Sequence, residues 1–148
     1  MNSDEDIRTT IDGLSAWIGR ECTIVERREY DWVFSFEDSG KVQCECPWRI
    51  IADDHIALTN IDHGQLFGLK APVDGPQKAR ELFGEKKVVS VKVAPTSGDL
   101  AVSFEGGTTL EIFNHSSGYE GWQATSKTDA HGIYVVAMGG GGLAIWKQ

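Results

Sequence analysis

The feature that most constrains this chain is an internal repeat. The stretch from Trp17 to Cys46 can be aligned with the stretch from Leu82 to Phe113, and Ser35-Phe36-Glu37 in the first matches Ser103-Phe104-Glu105 in the second. Two copies are too few for a solenoid, which needs neighbouring repeats to bury its core. The sequence therefore predicts a single domain over residues 1–148 with an internal pseudo-repeat, at about 1–74 and 75–148.

Each unit begins with a predicted helix that ends at a glycine. In the first unit, apolar residues recur at the spacing of one helical face before Gly19, and Ser3 is the expected N-cap, followed by three acidic residues. In the second unit the helix is predicted over GPQKARELF, with Pro76 at its first position and Gly84 at its end.

Strands with alternating apolar residues follow each helix. Turns rich in Gly, Asp, Ser or Pro are predicted at Glu29–Asp31, Glu37–Gly40, Pro95–Asp99 and Glu105–Thr108. About ten strands and two short helices indicate a mainly β fold, with an α+β description left open: an antiparallel sandwich or a barrel-like sheet. The alternating residues expected to face the core are Cys22, Ile24, Trp32, Phe34, Phe36, Val89, Val91, Val93, Leu100, Val102, Phe104, Leu110 and Ile112.

Charge and cysteine usage restrict the function classes. Residues 1–74 carry 7 Lys+Arg against 15 Asp+Glu, whereas residues 75–148 carry 7 of each. An acidic half disfavours nucleic acid and suits a basic protein partner. No apolar run is long enough to span a bilayer, and the N-terminus lacks the features of a secretory signal, so we expect a cytoplasmic protein without membrane contact. Cys22, Cys44 and Cys46 are expected to be buried structural thiols.

The densest group of ionisable side chains lies between Ala52 and Gly68. Asp53, Asp54, His55, Asp62 and His63 could serve as metal ligands or acid–base groups. Their spacing matches no metal-binding motif, and the chain has no nucleophile elbow or P-loop. We therefore predict structural loops with partner contacts here, and no catalytic residue, metal ligand or cofactor.

A second polar stretch, NHSSGYEGW, ends at Trp122 and places Tyr119 and Glu120 beside it. Tyr and Trp anchor many protein interfaces because they bury a large area at low entropic cost. The structural alternative is that Trp122 fills one end of the β core and Tyr119 covers it. Both interpretations make this corner the second candidate surface.

Four consecutive glycines, Gly139–Gly142, raise the question of a phosphate-binding loop. Such a loop leads from a strand into a helix, but only six residues, LAIWKQ, follow Gly142. Apolar runs flank the glycines on both sides, at Ile133–Met138 and Leu143–Trp146. This pattern predicts a β-hairpin whose tip needs positive φ angles.

Residues 48–145 resemble a family of small bacterial proteins of unknown function. The shared pattern comprises a hairpin motif, then Ser-Ser-x-Tyr-Glu-x-Trp, then a glycine-rich tail. In this sequence those positions are Asp99, Leu100, Phe104, Gly107, Leu110, Ile112, Ser116, Ser117, Tyr119, Glu120, Trp122 and Gly139–Gly142. The resemblance implies no enzymatic activity, and it implies a similarity to immunity proteins of bacterial toxin systems.

These observations predict a non-enzymatic, cytosolic protein-binding module that occludes a basic toxin or other effector. Two alternatives stay open: a small-ligand β-barrel with a pocket lined by tryptophans, and a hydrolase that uses the Asp/His cluster at 53–63. Homodimerisation through an edge strand also stays open. The predicted partner-binding residues are Asp53, Asp54, Asp62, Tyr119, Glu120 and Trp122.

Overall fold

The structure, a computed structural model, describes residues 1–128 and 131–148. In these ranges the chain forms two α-helices, eleven β-strands and three short 3₁₀ turns. The helices and strands, in chain order, are α1 (Asp4–Leu14), β1 (Ile24–Arg27), β2 (Trp32–Ser35), β3 (Gly40–Cys44), β4 (Trp48–Ala52), β5 (His55–Thr59), α2 (Gly75–Phe83), β6 (Val88–Val93), β7 (Leu100–Phe104), β8 (Thr109–Ile112), β9 (Trp122–Lys127), β10 (Gly132–Ala137) and β11 (Leu143–Lys147).

The strands form two antiparallel sheets that pack face to face. One sheet has the order β1-β2-β3-β9-β10-β11, and the other has the order β5-β4-β8-β7-β6. The predicted mainly β fold and its sandwich form are confirmed. The barrel alternative is wrong, since within residues 1–128 and 131–148 each sheet ends in two edge strands and neither closes on itself.

The two halves exchange strands. The meander β1-β2-β3 continues into β9 of the second half, and the meander β6-β7-β8 continues into β4 of the first half. The same type of hydrogen bond occurs once in each half, near the junction of the halves. Glu37 Oε1 accepts from the backbone N–H of Glu21 (2.9 Å), and Glu105 Oε1 accepts from the backbone N–H of Lys87 (2.8 Å). Glu21 and Lys87 themselves form an isolated antiparallel bridge.

The helices cover the open sides of the sandwich. Ser3 Oγ accepts a hydrogen bond from the N–H of Asp6 at the start of α1, as predicted, and Asp74 caps α2, which ends at Gly84 with a φ of +54°. α1 contacts β6 and β11, one edge strand of each sheet, and α2 contacts β1 and β5, the other two. Both helices therefore protect strand edges. No helix among the described residues is long and apolar enough to cross a bilayer.

Two predicted inward-facing residues are exposed. Ile24 is exposed because the inward position of β1 is taken by its neighbour Val25. Val89 is exposed because the pairing of β6 with β7 shifts between Val88 and Ser90, which turns Val88 inward instead. A bulge of this kind changes which face a side chain occupies.

Aromatic rings fill the space between the sheets. Trp48 packs on Trp32 and Phe34 with ring centroids 4.8 and 5.1 Å apart, and Phe83 packs on Phe104 at 4.6 Å. The interior that the ligand-barrel alternative would leave open is therefore occupied by side chains.

Candidate functional site

Several connections meet at one end of the sandwich, which we call the loop end. The β3–β4 corner meets the segment before β9, since the N–H of Glu45 donates to the carbonyl of Gly121 (3.0 Å). The N–H of Gly121 donates in turn to the carbonyl of Ala137 at the end of β10 (2.9 Å). Asn114 Nδ2 donates to the carbonyl of Ser97 in the β6–β7 turn (2.9 Å). The loop end is therefore held together by backbone groups from distant parts of the chain.

A groove of about 380 Å³ opens at the loop end. Gln43 and Gln123 are direct partners in the pairing of β3 with β9 and form its floor. We call it the acidic groove after the carboxylates in its lining, which comprises Asp31, Gln43, Glu45, Gly118, Tyr119, Glu120, Gly121 and Gln123.

A hydrogen-bonded chain orients Glu120 in the acidic groove. Gln123 Nε2 donates to Glu120 Oε2 (3.1 Å), and Tyr134 Oη donates to Gln123 Oε1 (2.9 Å). A carboxylate only accepts hydrogen bonds, so the amide must turn its nitrogen to Glu120 and its oxygen to the phenol. Glu120 is thus held at the mouth of the groove by a side chain of β9.

The carboxylates of the acidic groove differ in what neutralises them. Asp31 accepts two hydrogen bonds from Arg28, from Nε at 2.7 Å and from Nη2 at 2.6 Å, and this pairing lowers the pKa of Asp31. Glu45 and Glu120 are exposed and form no ion pair within the described part of the chain. The negative charge that the groove offers to a partner therefore comes from Glu45 and Glu120.

Tyr119 and Trp122 have opposite environments. Trp122 is a core residue, 1% exposed, and its Nε1 donates to the carbonyl of Gly98 (2.8 Å). Tyr119 is 83% exposed and does not cover Trp122. Its backbone is fixed nonetheless, because Ser116 Oγ accepts hydrogen bonds from the N–H groups of Gly118 (3.2 Å) and Tyr119 (2.9 Å). The loop presents the Tyr119 ring to solvent from a held backbone.

Asp53 and Asp54 lie at the opposite end of the sandwich. They are the two exposed central residues of the β4–β5 hairpin, with φ angles of +52° and +62°. Asp tolerates this left-handed region better than most residues, so turn geometry accounts for the pair. Five residues of β4 separate them from the loop end, a distance of about 16 Å.

The structure divides the predicted Asp/His cluster. His55 begins β5, and its Nδ1 lies 3.2 Å from the carbonyl oxygen of Asp53. Asp62 and His63 follow the far end of β5, where Asp62 Oδ2 accepts from the N–H of Thr59 (2.8 Å) and His63 Nδ1 accepts from the N–H of Gly75 (2.9 Å). Within the described residues no three His, Cys, Asp or Glu side chains form a group suited to a metal ion.

Sequence reasoning missed four residues of the acidic groove: Asp31, Gln43, Glu45 and Gln123. Alternation along β3 was a usable signal, since Gln43 and Glu45 alternate with the buried Val42, Cys44 and Cys46 and so face outward. What brings Gln43 to Gln123 is the pairing of β3 with β9, across most of the chain. That register depends on the packed sheet and leaves no local pattern.

The four glycines support the loop end. They form the turn of the β10–β11 hairpin, as predicted, with φ angles of +87° at Gly140 and +104° at Gly141. Gly139 lies against the backbone of Gly118, so closely that a Cβ atom would come within 2.3 Å of the Gly118 carbonyl carbon. The Gly140 N–H donates to the carbonyl of Ser116 (2.8 Å). The glycine turn thus supports the loop that carries Tyr119.

Fold and site together define a strand-exchanged β-sandwich with an acidic groove flanked by a tyrosine at one end. The chain belongs to a family of unknown function, DUF6188, whose model matches residues 17–147. The match covers more of the chain than residues 48–145, which carried the resemblance to a family of unknown function. No curated protein and no solved structure gives a significant match.

Proposed function

We propose that this chain is a non-enzymatic protein-binding module whose acidic groove docks a basic partner protein. The observation that carries the proposal is the exposed Tyr119 ring beside two carboxylates, Glu45 and Glu120, that form no ion pair with any residue that the structure describes. Tyrosine is a common interface anchor, and free carboxylates attract and orient a cationic surface.

The geometry also supports a preformed surface. Ser116, Gln123 and the glycine turn hold the Tyr119 loop in place, so little backbone entropy is lost when a partner binds. The net charge of −8 favours encounter with a cationic protein and disfavours a nucleic acid.

A finer form of the proposal concerns the biological role. If the basic partner is a bacterial toxin, docking at the loop end occludes the toxin surface, and the chain acts as an immunity-type inhibitor. Three buried cysteines without disulfides suit a reducing compartment such as the cytoplasm.

The test is site-specific photo-crosslinking of the full-length chain in cells of its source organism. p-Benzoylphenylalanine replaces Tyr119 in one variant and, as a control, the exposed Ile56 near the opposite end in another. We expect an adduct with a basic protein from position 119 and none from position 56. No adduct at 119, or the same adduct from both positions, contradicts the proposal.

A further inference from the structure

The connection between β5 and α2 exposes a group of large apolar side chains. Ile61 is 74% exposed, Leu66 53%, Phe67 67% and Leu69 59%. Single exposed apolar residues are common on protein surfaces, but here four lie within nine consecutive residues of one connection, and grouped apolar exposure of this kind occurs at interaction sites. We call Leu66, Phe67 and Leu69 the apolar knob.

The apolar knob is held away from the core by its own hydrogen bonds. The N–H of Gly64 donates to the carbonyl of Val73 and the N–H of Val73 donates to the carbonyl of Gln65, both at 2.8 Å. At the tip, the N–H of Leu69 donates to the carbonyl of Leu66 (2.7 Å). These bonds close the loop at its base and again at its tip, so the three apolar side chains are presented to solvent by a fixed backbone.

Phe67 occupies a backbone conformation that disfavours it. Its φ is +46°, in the left-handed region, where a bulky side chain is strained and glycine is not. Because the ring is mostly exposed, the isolated chain recovers little of the free energy of this strain by burying it. A contact outside the chain would bury the ring and offset this cost.

The connection that carries the apolar knob meets the β1–β2 turn, which also borders the acidic groove. Its base is anchored where the His63 ring meets the edge of Trp32, with centroids 6.2 Å apart. Asp31, the neighbour of Trp32, lines both the acidic groove and a recess that it shares with Asn60, at the start of the knob-bearing connection. The groove and the start of the knob-bearing connection therefore share one recess.

The negative charge of this chain decides which kind of partner suits the apolar knob. An anionic bilayer and a second copy of this chain both face a net charge of −8 and the free carboxylates of the neighbouring groove. A cationic protein with an apolar recess matches both surfaces at once. Protein interfaces combine an apolar centre with polar surroundings, and the knob and the groove offer one of each.

We propose that the apolar knob is the second contact of the same docking surface, with Phe67 inserted into an apolar recess of the basic protein that the acidic groove binds. This inference rests on the proposed function.

The experiment repeats the photo-crosslinking in cells with p-benzoylphenylalanine in place of Phe67. We expect the same basic protein as at position 119. With that protein purified, Phe67→Ala should raise the Kd about tenfold or more, whereas Ile56→Ala, which also removes an exposed apolar side chain, should leave the Kd unchanged. Thermal unfolding of both variants verifies that they fold.

The outcomes separate the two proposals. An adduct at 119 without one at 67, or an unchanged Kd for Phe67→Ala, overturns the role of the knob and leaves the groove. An adduct at 67 of twice the chain mass assigns the knob to a second copy of this chain and overturns the proposal. Co-sedimentation with vesicles of phosphatidylglycerol and phosphatidylcholine, if Phe67→Ala abolishes it, assigns the knob to a membrane and also overturns the proposal. No adduct at either position overturns both proposals.

Discussion

At the scale of residues, Tyr119 and Trp122 have different roles although they are only three positions apart: Trp122 packs in the core and Tyr119 is exposed to solvent. Trp122 begins β9 and faces inward, where its indole N–H reaches a backbone carbonyl, whereas Tyr119 lies in the loop before the strand. Sequence predicted an aromatic corner here and left open which ring would be exposed. The answer depends on where β9 begins, because strand geometry decides which side chains face the core.

The acidic residues of the first half are also of two kinds: some have a local structural role, and others have none. Asp53 and Asp54 are explained by the left-handed turn they occupy, and Asp62 is explained by its bond to the backbone of Thr59. Glu45, which no motif singled out, lies in the groove beside Tyr119 and forms no ion pair within residues 1–128 and 131–148. Composition predicted an acidic surface, but only the fold shows which carboxylates are unused.

The three cysteines give a residue-scale prediction about reactivity. Burial raises the pKa of Cys22 and of Cys46 to about 12, and it raises the pKa of Cys44 well above its ordinary value. Thiolate is the reactive form, so at about pH 8 we expect Ellman's reagent to label none of the three in the native protein and all three in guanidinium. Rapid labelling of the native protein contradicts this burial.

The same raised pKa values predict alkaline destabilisation. Between the ordinary thiol value near 8.5 and about 12, these cysteines ionise in the unfolded chain but stay protonated in the folded one. The unfolded state then binds fewer protons than the folded state. The free energy of unfolding therefore keeps its full value below about pH 8.5 and decreases as the pH rises above 8.5. Replacing both Cys22 and Cys46 with Ala should reduce the decrease of the free energy of unfolding with pH, as measured by urea unfolding at several pH values. The same decrease in the variant and in the original protein would contradict the prediction.

At the scale of elements, the local features were predictable and the long-range pairings were not. The hairpin turns, the Ser3 cap of α1, the end of α2 at Gly84 and the strand His55–Thr59 follow from nearby residues, and the structure contains them. The predicted end of the first helix at Gly19 is wrong, because α1 ends at Leu14 and a short 3₁₀ turn follows it. The strand order and the bulge that turns Val89 outward depend on partners far along the chain. The acidic groove was missed for the same reason, since it exists only where β3 and β9 pair.

The glycine turn gives an element-scale prediction with a matched control. A Cβ atom at Gly139 would collide with the backbone of Gly118, whereas Gly142 has a φ of −69° and nothing within 4 Å of its Cβ position. We expect Gly139→Ala to lower the free energy of unfolding by about 1–3 kcal/mol and Gly142→Ala to leave it unchanged or raise it slightly. Thermal unfolding measures both.

Equal effects of the two substitutions would contradict the account of the glycine turn. The binding consequence is separate: because Gly139 supports the loop that carries Tyr119, Gly139→Ala should also weaken crosslinking from position 119. Gly142→Ala should leave that crosslinking intact.

At the scale of the whole molecule, the exchange of strands between the two halves makes the sandwich a single unit. Each sheet contains strands from both halves, so neither half holds a complete sheet by itself. The aligned Glu37 and Glu105 cap equivalent backbone groups near the junction. The pseudo-repeat itself stays a prediction from the sequence, and the exchange of strands has no signature there.

The exchange also separates the two acidic surfaces that sequence analysis treated together. The hairpin carrying Asp53 and Asp54 and the groove carrying Glu45 and Glu120 lie at opposite ends of the sandwich. The two pairs therefore serve as controls for each other, because neutralising either one changes the net charge equally.

The most direct test of the acidic groove as a docking site uses the basic protein that is crosslinked at position 119. The Kd of its complex with each of two double variants of this chain is measured. Glu45→Gln with Glu120→Gln removes the free charge of the acidic groove, and Asp53→Asn with Asp54→Asn removes the same charge from the far hairpin, where Asn accepts the positive φ. We predict that the groove variant raises the Kd about tenfold, or about 1.4 kcal/mol, and that the hairpin variant leaves it nearly unchanged. Equal effects of the two variants, or a loss of affinity confined to the hairpin variant, would contradict the assignment of the acidic groove as the docking site.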